Sequence, residues 1–313
     1  MIHLRLIVVP ELTVPVLERL RTSPGVAHVL HLEGASVTPA GDLVLCDVAR
    51  EATDDVVEWL QRQGVHQSGA ISIDATSTVV SDAAARADAQ APGEASDALI
   101  WEQLEAQARS DSVPTVSFFV LMGIAAVIAS VGILLDSPIL IVGAMVVGPE
   151  YGPIAAACVA ATRGRWRPAT NATATLGSGL LVAAVSSLVA TLAFRATGLS
   201  LDRYDLSDRE LTAFISHPDG MAAVVALLAG VVGMLSLTES RSGALVGVLV
   251  SVTTIPAVAN VGVAAAYREW SEVAGALLQL GVNIAALALA GVATLAVQHR
   301  ATRATRTAGA THR

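Results

Sequence analysis

One carboxylate stands at a place where an apolar helix has to break. Glu150 lies inside Gly148-Pro149-Glu150-Tyr151-Gly152-Pro153, in the middle of an apolar run from Ile139 to about Thr162. Each proline removes a backbone donor and clashes one turn back. Each glycine adds backbone freedom. The run is long enough to cross a bilayer, and Glu150 is about eleven residues into it, roughly 16 Å at helical rise and near the midplane of a ~30 Å core. Irregular backbone at that depth is tolerated where protein or a water-filled cavity covers it. An ionisable residue there is costly and marks a functional site. The chemistry on offer is the binding of a proton or a small cation. The plainer reading is a carboxyl bonded to backbone that the break sets free.

A second break answers the first. Residues 252–257, VTTIPA, interrupt a later apolar run with Pro256 and place Thr253 and Thr254 beside it. Asn260 and Asn283 are the other polar side chains at comparable depth, and as a set facing Glu150 they would line a path. Singly, each is ordinary helix-packing glue. Tyr151 is a gate or a packed aromatic. The pairs Gly148/Gly152 and Gly243/Gly247 have the spacing of close helix contacts. Ser137 and Ser251 have no histidine within a span to activate them, since His217 and His299 fall at loops or ends. Cys46 and Cys158, the two cysteines, lie in different parts of the chain and match no metal-ligand spacing. The expectation is no enzyme, no metal and no cofactor.

These breaks need spans to hold them. Six apolar stretches qualify: 116–135, 139–162, 171–196, 219–238, 243–266 and 273–297. An offset of 104 residues relates the first three to the last three. It carries Val142-Gly143 onto Val246-Gly247, Val159-Ala160-Ala161 onto Val263-Ala264-Ala265, Trp166 onto Trp270 and Leu176-Gly177 onto Leu280-Gly281. It also carries Glu150 onto Thr254. Three spans per copy reverse sidedness, so the reading is two inverted repeats, 116–197 and 219–297, with broken second helices. Such breaks are the best sequence pointer to a midplane site of transporter type. Arg163, Arg165 and Arg167, then Arg241, then Arg300, Arg303, Arg306 and Arg313 fall on one side of this scheme. By the positive-inside rule that side is cytoplasmic and both termini are inside, in the inner (cytoplasmic) membrane.

The first 113 residues differ in kind. They carry 17 acidic and 7 basic side chains, net −10, whereas residues 114–313 are net +2. An acidic domain gives no footprint for nucleic acid. Strands are predicted at 2–9, 26–32, 43–48 and 70–74, with helices at 13–22 and 53–63 that Thr13 and Thr53 would cap. The order β-α-β-β-α-β is that of a ferredoxin-like domain over 1–75. His28 and His31 tempt a metal reading, but a spacing of three sends them to opposite faces of a strand. Trp59 belongs to the core. Residues 76–115 read as a linker ending in an amphipathic helix from Leu99 to Arg109. That helix lies near the membrane with Trp101 at the interface, or packs on the soluble domain. Residues 298–313 form a basic tail.

The run DSPILIVGAMVVGPEYGPIAAACVAATRGRW resembles the hallmark of the bacterial and archaeal membrane proteins of domain-of-unknown-function family 389, and SRSGALVGVLVSVTTIPAVANVGVAAAYREW resembles the family's second segment. That second segment usually has a double proline; here Pro256 is followed by Ala257. Many members lack the carboxylate present here as Glu150. The resemblance covers roughly 99–297 and implies an integral membrane protein without supplying an activity. The combined reading is an α-helical membrane protein of six spans in two inverted repeats plus an α+β ferredoxin-like domain. It would sit in the lipid bilayer as a homo-oligomer. It would move a small ion or polar solute through Gly148, Pro149, Glu150, Tyr151, Gly152, Pro153, Thr253, Thr254, Pro256, Asn260 and Asn283. The competing reading is a membrane-anchored scaffold or a sensor acting through the ferredoxin-like domain.

Overall fold

A computed structural model describes residues 1–75, 79–91, 101–199, 215, 220–238 and 254–311, without the side chains of 301–311. The chain divides into two compact units, Met1–Gln103 with Gln298–Arg313, and Leu104–Val297.

The first unit is built on strict alternation. In β1 (Ile2–Val8) the side chains of Ile2, Leu4, Leu6 and Val8 are buried while Arg5 is exposed. It lies between β3 (Ala40–Val48) and β4 (Ala70–Ala75), antiparallel to both, and β2 (Val26–Val37) closes the far edge in the order β2-β3-β1-β4. Helices α1 (Pro10–Thr22) and α2 (Arg50–Arg62) send Val16, Leu20, Val56, Val57 and Leu60 into one cluster with Leu4, Leu6, Val44 and Cys46. Both helices therefore cover the same face, as a ferredoxin-like arrangement requires. Burial pushes the Cys46 thiol up to about 12. A short turn, α3 (Val65–Ser68), follows Gly64, whose φ of +79° favours glycine.

Two expected caps take other roles. Helix α1 starts at Pro10, which suits a first helical position, and Thr13 instead donates to Asp42 Oδ2 at 2.7 Å. Helix α2 starts at Arg50, and Thr53 is fully buried, donating to the Ala49 carbonyl. The alanine-rich stretch read as linker contains a helix, α4 (Asp82–Gln90), capped by Ser81, whose Oγ accepts from the backbone N–H of Ala83 and Ala84. Helix α5 (Trp101–Asp111) forms as the spacing predicts, with Trp101 buried and edge-on to His299 at 5.0 Å.

The second unit is helical: α6 (Val116–Leu134), α7 (Pro138–Val147), α8 (Tyr151–Thr162), α9 (Trp166–Ala196), α10 (Gly220–Thr238), α11 (Thr254–Tyr267) and α12 (Trp270–Thr311). Four of these are long and apolar enough to cross a membrane: α6, 166–196, 220–238 and 270–300. The pair α7/α8, bent by 54° at the break, is apolar enough to be either a fifth, broken span or a re-entrant loop. The chain is thus a membrane protein by the length and composition of its helices. The first half of the fifth stretch read from sequence, residues 243–253, falls outside the described residues.

Element bounds repeat at the offset seen in the sequence. The shift carries α6 onto α10 end for end, and the start of α9 at Trp166 onto the start of α12 at Trp270. It also carries the left-handed turn at Gly164 (φ +67°) onto that at Arg268 (φ +63°). Both long helices begin earlier than hydropathy alone suggests, because each turn delivers a tryptophan directly into the helix. Packing relies on small residues. Ala125, Ala126 and Ala129 of α6, Ala144 of α7, Ala183 of α9 and Ala259 of α11 are all buried. A Cβ on Gly262 of α11 would come within 2.6 Å of backbone atoms of Ala184 and Leu188 on α9. On the arginine-rich turn after α8, Arg163 and Arg165 both donate to the Glu105 carboxylate, Arg163 at 3.0 Å, which ties α5 to that turn.

Candidate functional site

The break is real and local. Helix α7 ends at Val147; Gly148 and Pro149 are extended or irregular, and Glu150 is the N-cap of α8 with αR backbone. Pro149 and Pro153 enforce this. Neither can donate to a preceding turn, so the ladder stops and restarts. Gly148 is buried because a Cβ there would overlap Ile255 and the Glu150 carboxylate. The close approach expected of Gly148 is therefore to α11; Gly243 and Gly247 lie outside the described residues.

Glu150 is 2 % exposed. Thr254, fully buried at the first position of α11, donates its hydroxyl to Glu150 Oε1 at 2.8 Å. Glu150 Oε2 has no hydrogen-bond partner among the described residues. The N-terminus of α8 and the first described residue of α11 thus meet at one carboxylate, and the C-terminal end of α7 lies two residues before it. Free N–H groups of α8 and free carbonyls of α7 are both supplied there. The positive end of α8 favours negative charge at Glu150.

The remaining residues read from the sequence fall around this pair unevenly. Pro153 and Pro256 are buried in the first turns of α8 and α11. Gly152 is half-buried. The Tyr151 ring packs against Gly233 of α10, where a Cβ would overlap it, and its hydroxyl has no partner among the described residues. Asn260 is 2 % exposed on α11, and Asn283, equally buried on α12, accepts from Gln279 Nε2 at 3.2 Å. Thr253 lies outside the described residues. Ser187 of α9 donates to the Ala259 carbonyl at 2.6 Å and holds α11 against α9 next to Asn260.

Two polar groups, Glu272 and Gln279, escaped the sequence reading. Both are buried, and among the described residues Glu272 Oε2 and Gln279 Oε1 have no hydrogen-bond partner. Their spacing, seven residues from Glu272 to Gln279 and four from Gln279 to Asn283, was the available signal.

Three histidines of the sheet, His3, His28 and His31, are engaged with carboxylates. His28 bonds Asp47 at 2.7 Å and His31 bonds Asp42 at 3.1 Å, on opposite faces of the sheet as their spacing predicts. His3 bonds the other oxygen of Asp47 at 2.9 Å. Burial works against the charge on Asp47, but hydrogen bonds from His3 and His28 outweigh it and hold the carboxyl below its usual range. Among the described residues, no group of three histidines, cysteines or carboxylates is placed to hold a metal ion.

Comparison with known proteins leads to the same segment. A curated relative, Uncharacterized protein MJ0678 of Methanocaldococcus jannaschii, is 27% identical over 168 residues, covering 53% of this chain and 49% of the relative. The chain thus spans about half the length of the curated relative it matches. No solved structure matches it. The family described as Domain of unknown function (DUF389) matches residues 145–289, a stretch that begins just before the first break and ends beyond Asn283. Over these residues, which contain both breaks and every described member of the site, the chain is similar to that family.

Proposed function

We propose that the protein moves a small cation, or a proton, across the membrane through a midplane site at Glu150. Six spans would form two inverted repeats, with the fifth span made of residues 243–253 and α11. One observation carries this reading. Glu150 and Thr254, which hydrogen-bond to each other, are 104 residues apart, the same offset that relates the two halves. In a molecule with a pseudo-two-fold axis, a residue can touch its own counterpart only on that axis. The contact therefore supports a site where both breaks meet.

The chemistry follows from the parts. Carbonyls at the end of α7 and the Glu150 carboxylate offer oxygen ligands to a cation. The N–H groups of α8, with the Thr254 hydroxyl, stabilise the same carboxylate when no cation is present. The ion thus competes with hydrogen bonds the protein already makes, which allows release as well as binding.

The test is Glu150→Gln in proteoliposomes. It keeps shape and the Thr254 hydrogen bond but removes the charge. Loss of ion or proton flux with unchanged thermal stability is the expected result. Flux equal to wild type makes the carboxylate structural, and the scaffold or sensor reading through the ferredoxin-like domain takes its place.

A further inference from the structure

The first half of α12 buries a stripe of polar side chains that a purely structural helix has no need of. Glu272, Ala276, Gln279 and Asn283 repeat at intervals of three and four and share one face. Glu272 is 5 % exposed, Gln279 1 % and Asn283 2 %. Glu272 Oε2 and Gln279 Oε1 find no hydrogen-bond partner among the described residues. Buried oxygens are almost always paired, so two unpaired ones on one helix face, among the described residues, are places where a bound ion or water would find a ligand.

The stripe stops abruptly. Beyond Asn283 the same face continues as Leu287 and Ala290, packed on Gly230 of α10, and Gly291 beside Cys158 and Met234. The helix is polar on its inner face for one half of its crossing and apolar for the other. On α9, Thr191, buried with its hydroxyl unpaired among the described residues, and Ser187 lie toward one end. The polar ends coincide. Arg195 of α9 donates to the Ala266 carbonyl and stacks on Tyr267 at 4.5 Å, next to the turn from which α12 starts. The inner end of the stripe adjoins the break. Leu280, beside Gln279, belongs to the same apolar cluster as Ile141, Ile255 and Val258, and Ile284, beside Asn283, packs against it. From Glu272 to Asn283 is about 16 Å of helix, half of a ~30 Å core.

We propose that this stripe is a hydrated half-path for a small monovalent cation, proton included. It would open at Glu272, on the side away from Arg163 and Arg165, and end beside Glu150. The proposal rests on the reading of Glu150 as an ion site and adds the route by which the ion arrives. The lining is a carboxylate and amide oxygens, ligands for a hard cation. Arg195, on α9, is committed to Ala266 and Tyr267. The apolar second half closes the route on the other side.

Cysteine accessibility in the full chain tests it. Cys46 and Cys158 are replaced by alanine, and single cysteines are placed at 272, 279, 283, 287 and 290. A small, positively charged methanethiosulfonate reagent added from the side away from Arg163 should modify the first three and spare the last two. If 272, 279 and 283 resist as fully as 287 and 290, there is no path. The second measurement is flux in Glu272→Gln, which preserves side-chain shape. The concentration giving half-maximal flux should rise about tenfold as the mouth loses its charge, with the maximal rate kept. Radiolabelled sodium and a trapped pH dye run in parallel identify which ion responds. Unchanged half-saturation for both overturns the role of Glu272. Labelling needs no transport, so the two readings fail separately. Modified cysteines without Glu150-dependent flux sink the transport reading alone, and resistant cysteines with such flux sink the path alone.

Discussion

At the residue scale, the hydrogen bond from Thr254 decides how Glu150 is tolerated. Thr254→Val keeps the volume and removes the donor, leaving a second carboxylate oxygen buried without a partner among the described residues. Such a loss costs about 1–3 kcal/mol. The expected outcome is a lower melting temperature in detergent for Thr254→Val and a near wild-type value for Thr254→Ser. Asp42 carries a second prediction. The Gly34 backbone N–H, then Thr13 and His31, hold its carboxyl down at about 2. A depressed carboxylate stabilises the fold above its unfolded value, about 3.9, and that contribution is lost as pH falls toward the folded value. Asp42→Asn should therefore melt earlier than wild type at pH 6, with the gap closing between about pH 4 and pH 2. Fluorescence of a chain in which Trp59 is the only tryptophan reads this domain. Glu150 was legible in sequence because proline, glycine and charge coincide there. Glu272 was not, because a carboxylate two residues past a tryptophan reads as loop until the helix is seen to begin at Trp270.

At the element scale, the helices touch through glycine and alanine, so added volume is costly. Gly262→Ala drives a methyl into the backbone of α9 at Ala184 and Leu188, atoms that cannot rotate away. Overpacking of this kind costs about 1–3 kcal/mol, and a fall in melting temperature with reduced yield is expected. Gly177→Ala, with nothing near it, serves as the control. The sheet order and both helices of the first unit were readable because alternation and the 3.6-residue period are local. The caps were not. Thr13 and Thr53 have the right residue type, but their hydroxyls are taken by Asp42 and by the Ala49 carbonyl, partners set by the fold. Helix α4 was missed because an alanine-rich polar stretch has helix propensity without the hydrophobic stripe that pattern reading looks for.

At the scale of the whole molecule, the arginine distribution argues for cytoplasmic termini. Cysteine at position 205 should react with an impermeant reagent added outside intact cells, and cysteine at position 165 should not. The reverse pattern overturns the inverted arrangement built on that sidedness. The hydrogen bond between counterparts has one more consequence. In a dimer of two identical three-span chains, whatever occupies the axis faces a copy of itself, so a carboxylate there would meet another carboxylate within hydrogen-bonding distance, and two like charges in an apolar interior repel. Only a chain whose halves have separate codons can put glutamate on one side and threonine on the other. Under the proposed two-repeat arrangement, fusion of the two halves into one polypeptide would permit a single negative charge at the centre of an otherwise symmetric frame.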